Sequence, residues 1–86
     1  MDLDDQLRRY FGTTDIASVE PGALTAGVER MRVDFGMEND RDRRFALWTM
    51  LYMMGSAPDL DVAFSAEADR NAARNFMDLA DRLGGD

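Results

Sequence analysis

The segment from Phe45 to Gly55, Phe-Ala-Leu-Trp-Thr-Met-Leu-Tyr-Met-Met-Gly, limits this chain more than any other. Nine of its first ten residues are apolar or aromatic, and the exception is Thr49. A helix that is apolar on nearly every face has to be enclosed by its neighbours. With a rise of about 1.5 Å per residue it is too short to span a bilayer. The segment therefore reads as the central helix of a small all-α domain, with the only tryptophan, Trp48, inside it.

The remaining elements follow from punctuation and periodicity. Leu3, Leu7, Tyr10 and Phe11 form one stripe on a first helix over 2–11, with acids at its start, Arg8 and Arg9 near its end, and Gly12 to stop it. Thr14 or Asp15 is expected to cap a single turn through Ile16, Ala17 and Val19, with Ile16 and Val19 tucked under the domain. A second helix is expected over 21–35. Pro21 stands at its first position, Ser18 caps it, Leu24, Val28, Met31 and Phe35 form its stripe, and Gly36 ends it. Gly27 lies in its middle. Glycine there costs about 1 kcal/mol against alanine, and close approach of the central helix is the expected compensation.

The third helix is expected over about 40–55, capped by Asn39 or Asp40 and closed by Gly55. Pro58 stops any continuation, and Asp59 can cap a single turn over 60–64. A last helix, capped by Ser65, should run to Leu83 with Ala72, Phe76, Leu79 and Leu83 as its stripe; Gly84 and Gly85 end it and Asp86 trails. No stretch alternates long enough to argue for a strand. The expectation is a single domain over 1–86: four main helices packed as a compact array around the third, with short turns near 15–19 and 60–64.

Composition narrows function mainly by exclusion. The formal charge is −7, from 17 acidic and 10 basic residues, and every basic residue is arginine. Such a surface repels phosphate backbones and anionic lipid, so neither nucleic acid nor membrane is an expected partner. The chain has no Cys, His or Lys, which removes disulfides, thiolate nucleophiles, imidazole bases, Schiff bases and the usual zinc sites. An acidic start in place of a basic and then apolar one gives no secretory signal, so a cytoplasmic protein is expected. A carboxylate-based enzyme would have to draw on Asp59 with Asp61, Asp40 with Asp42, or Asp4 with Asp5. All three pairs stand at expected helix starts, where capping explains them. From Asp59 or Asp40 the spacing fails the calcium-loop pattern at its sixth position, Phe64 or Phe45. No phosphate-cradling glycine motif occurs. No catalytic residue, metal or cofactor is expected.

Two features remain as candidate partner-binding positions. Arg41, Arg43 and Arg44 make 40–55 the one locally basic segment of the chain, beside the apolar helix; pairing with neighbouring acids is their plain alternative. Met50, Met53 and Met54 cluster with Trp48 and Tyr52. Most of that cluster is expected in the core, but three single-striped helices can leave a strip open at Tyr52 and Met53. The leading expectation is a small non-catalytic interaction domain that binds a protein partner or itself as a homodimer. The alternative is an acidic inhibitor or nucleic-acid mimic that blocks a basic surface, with a carboxylate enzyme third.

Overall fold

A computed structural model describes residues 2–84; Gly85 and Asp86, the expected end and tail of the last helix, lie outside the described residues. The chain is all-α, in the order α1 (Leu3–Phe11), a 3-10 turn (Ile16–Ser18), α2 (Pro21–Met37), α3 (Arg41–Met53), α4 (Leu60–Ala63) and α5 (Glu67–Gly84). Among the described residues there is no strand. This is the expected four-helix array with two short turns.

Local chemistry sets most boundaries. Asp2 caps α1 by accepting from the Asp4 amide, and Gly12, at φ 76°, ends it by donating to Arg8 O. Asp40 caps α3 by accepting from the Arg43 amide at 2.9 Å. At the other end of α3, Gly55 takes φ 74°. Its amide donates to Tyr52 O and that of Ser56 donates to Leu51 O, the paired bonds of a glycine-terminated helix.

Four expected caps fail. Ser18 does not cap α2: its hydroxyl donates back to Asp15 O at 2.8 Å, and Glu20 holds the cap position without a side-chain bond. The fixed φ of Pro21 is enough to start the helix there. Asp15 and Asp59 precede their short turns but make no side-chain cap bond. Ser65 lies two residues ahead of α5, whose first intrahelical bonds run to Ala66 O. Gly36 does not end α2, which continues to Met37, because glycine can remain helical when no residue after it demands a turn.

The buried residues Tyr10, Met31, Phe35, Leu47, Trp48, Met50, Leu51, Ala63, Phe64 and Ala73 form one cluster drawn from every main helix. Trp48, 1% exposed, is at its centre. Its ring stacks on Tyr52 at 5.5 Å and meets Phe64 at 5.8 Å and Phe76 at 6.2 Å, and its indole N–H donates to Pro58 O at 3.2 Å. Arg41 meets Asp69, Trp48 meets Phe76 and Tyr52 meets Asp81, so the partners advance together and α3 runs parallel to α5. A parallel pair needs a crossing connection, and residues 54–66 with α4 supply it.

Helix α1 packs antiparallel on α2. Phe11 lies at Gly27, and Tyr10 lies at Arg30 and Asp34. Gly27 is therefore the site of a close approach, but by α1 and not by the central helix. A Cβ there would sit 2.7 Å from Tyr10 O and collide with the Phe11 ring. Sequence spacing identifies a crossing without identifying which helix crosses. Ile16 and Val19 are half-buried, as a turn lying against the domain's edge requires.

Helix α5 departs furthest from expectation. Its inward face is Ala73, Phe76, Met77 and Ala80, while Ala72 is exposed, Leu79 is 53% exposed and Leu83 80%. Two apolar stripes at helical spacing compete on this helix. The small Ala73 is fully buried on the inward face, and the leucines face outward.

Candidate functional site

The arginines that open α3 have separate fates. Arg44 is half-buried and fixes three elements at once. Its Nη1 donates to Phe35 O at 2.7 Å, and its Nε and Nη2 donate to Ala63 O at 3.1 and 2.7 Å. Its guanidinium also lies 4.1 Å from the centroid of the Phe35 ring. Main-chain carbonyls at the ends of α2 and α4 are thereby satisfied by one delocalised cation. Arg41 forms a forked pair with Asp69 on α5, at 2.8 and 3.1 Å. That bond holds the Asp69 carboxyl below the usual carboxylate range, and Asp69 in turn raises Arg41. Arg43 is exposed and lines the groove described next.

A groove of about 660 Å³ runs between α1, the end of α2 and the start of α3. Gln6, Arg9 and Tyr10 form one wall, Asp34, Met37 and Glu38 the other, and Arg43, Ala46 and Leu47 part of the floor. At its base the Tyr10 hydroxyl donates to Asp34 Oδ2 at 2.5 Å, and Arg30 Nη2 donates to Tyr10 O at 2.6 Å. Burial, reinforced by the Asp34 carboxylate, pushes the Tyr10 phenol up to about 12. A phenol held protonated beside an ionised acid is a strut between α1 and α2, not a base. Asp40 and Glu38 are occupied by backbone amides. Every buried side-chain nitrogen and oxygen among the described residues has a partner, and no three acidic side chains among them converge as metal ligands would.

Tyr52 and Met53 divide. Tyr52 is half-buried, stacked on Trp48, and its hydroxyl donates to Asp81 Oδ1 at 3.2 Å; burial and that bond raise its pKa. Met53 is 57% exposed, so the open position lies one residue after the ring. Met50 is in the core at 4% exposure, and Met54 is half-buried.

The Tyr52–Asp81 bond sets the C-terminal ends of α3 and α5 side by side. Met53 is thus exposed at the same end of the molecule as Leu79 and Leu83. The two leucines are the surface feature that the sequence reading assigns to the core. The signal against that assignment is the rival spacing Ala73, Phe76, Met77, Ala80, at i, i+3, i+4 and i+7, which fits a helical face as well as the stripe of larger residues. Among the described residues no helix is long and apolar enough to cross a membrane. Compared with protein-family models, with curated proteins and with solved structures, the chain matches none.

Proposed function

We propose that this protein is a non-catalytic interaction module that associates through the apolar surface at the shared end of α3 and α5. The observation that carries the reading is the outward stripe of α5. Leu79 and Leu83 are large apolar side chains that the fold leaves in water although inward-facing positions exist on the same helix. Full burial of such a side chain is worth about 1.5–3 kcal/mol; Leu83 at 80% exposure forgoes most of it and Leu79 at 53% about half, and an exposed apolar patch of this kind on a small globule marks a contact surface. Met53 is a further exposed apolar side chain at that end of the molecule. The occupant in this reading is protein, since the net charge of −7 disfavours nucleic acid and anionic membranes. Metal and cofactor have no part in it, and a chain without cysteine suits the reducing cytoplasm.

The test compares wild type with the double variant Leu79→Glu, Leu83→Glu, after circular dichroism confirms that both are folded. Tagged wild type is used to capture protein from an extract of its own cells, and its mass in solution is measured alongside. Association of the wild type, with itself or with a specific protein, that falls at least tenfold in the variant is the expected result. A wild type that is monomeric and captures nothing beyond what the variant captures overturns the reading.

A further inference from the structure

The solvent side of α5 is built to match itself. Ala68, Ala72, Asn75, Leu79 and Leu83 follow one another at i, i+4, i+7, i+11 and i+15, and all five are exposed. Steps of four, three, four and four residues keep these positions on one face of the helix, a row that can pack against another helix. The seam grades from small at its start to large at its end. Turned antiparallel about a two-fold axis at the middle of α5, Ala68 of one copy faces Leu83 of the other, Ala72 faces Leu79, and Asn75 lies beside its own counterpart. Each large side chain then meets a small one, which lets two helices approach to about 8 Å.

Charge along one flank of the seam gives the same answer independently. Glu67, Arg74, Asp78 and Arg82 are all exposed there and alternate in sign. Antiparallel pairing brings Glu67 to Arg82 of the second copy and Arg74 to Asp78. Parallel pairing would place this flank of the two copies on opposite sides of the contact, where its charges could not meet, and would set each leucine against a leucine. Arg74 already leans toward the seam, donating to Asn71 Oδ1 at 2.9 Å.

We infer that the protein pairs with a second copy of itself through α5, antiparallel, with the two-fold axis near Asn75. The inference rests on the interaction reading above and names its occupant. A single helix pair is smaller than the roughly 800 Å² per partner of a standard interface, so the pair is expected to form at about 10–100 μM and not at nanomolar concentration.

The chain has no cysteine, so introduced cysteines report geometry without background. In the antiparallel pair residue 75 lies about 2 Å along the axis from its counterpart, and residue 68 about 22 Å from its own. Under mild oxidation at about 200 μM, above the expected dissociation range, Asn75→Cys should link to itself. Ala68→Cys alone and Leu83→Cys alone should each give less than a tenth of that yield, and an equimolar mixture of those two should restore it. Self-linking of Ala68→Cys as efficient as that of Asn75→Cys would overturn the antiparallel arrangement. A monomeric wild type with no linking in any variant would overturn self-pairing altogether. If in that case capture still retrieves another protein through Leu79 and Leu83, the interaction reading stands and only the second copy is wrong as occupant.

Discussion

Arg44 is the residue whose removal should cost this fold most for its position in the sequence. It stands in a basic run that looks like surface, yet its donors close the carbonyls of Phe35 and Ala63. Arg44→Leu keeps the aliphatic bulk but leaves Ala63 O without its partner, at about 1–3 kcal/mol where water cannot reach, and leaves Phe35 O with only the Glu38 amide at 3.3 Å. A loss of roughly 1–3 kcal/mol is expected in urea denaturation, and a loss under about 0.5 kcal/mol, the usual range for open surface sites, would show that the clamp is replaceable by water. Gly27 makes the opposite case. Alanine is the better helix former by about 1 kcal/mol, but its Cβ would meet Tyr10 O at 2.7 Å. A backbone atom cannot swing aside, so α1 has to shift, and overpacking of that kind costs about 1–3 kcal/mol. Gly27→Ala should therefore lower the melting temperature; a rise would mean that α1 does not press on α2 there.

At the scale of elements, the α1–α2 contact carries a titratable strut. The folded-state pKa of Tyr10 is about 12, raised from a usual value of 10.0. The protonated phenol is thus favoured in the folded state, and its contribution is complete below pH 10 and lost as pH rises toward 12. Wild type should lose stability across that window. Tyr10→Phe should start lower at pH 8, by about 1 kcal/mol for the missing hydrogen bond, and fall less steeply between pH 10 and 12. The residual slope belongs partly to Tyr52, whose pKa is raised in the same direction. Equal slopes in the two proteins would remove Tyr10 from the account.

Element type and order were legible in the sequence because the apolar periods of 3–11, 24–35 and 45–54 are strong and glycine or proline stands at most ends. Caps were legible at Asp40 but not at Ser18, where the hydroxyl has a competing partner in Asp15 O. The facing of α5 was not legible, since two stripes with one period differ only in which fits the groove beside Trp48. For the candidate site this means that Met53 was readable as the exposed end of an over-apolar helix. Arg44 and Tyr52 were not readable as internal supports, because their partners come from distant residues. Leu79 and Leu83 were visible only once the helix had a facing.

At the scale of the whole molecule, the inward demands of α3 and the outward stripe of α5 make one argument. A chain of 86 residues has little apolar material to spare for its core, and this one leaves two leucines and a methionine of α3 and α5 in water. The charge of −7 on each copy opposes pairing at low ionic strength, while the flank charges of α5 balance locally. Salt should therefore strengthen association between about 20 and 200 mM by screening the net repulsion. The most direct measurement is sedimentation equilibrium of wild type and Leu79→Glu, from about 5 to 200 μM, a span that brackets the affinity expected of so small an interface. Pairing through α5 predicts a wild type whose average mass climbs from monomer toward dimer over that range and a variant that stays monomeric throughout. A wild type that stays monomeric to the highest concentration, or a dimer that Leu79→Glu leaves intact, would contradict it.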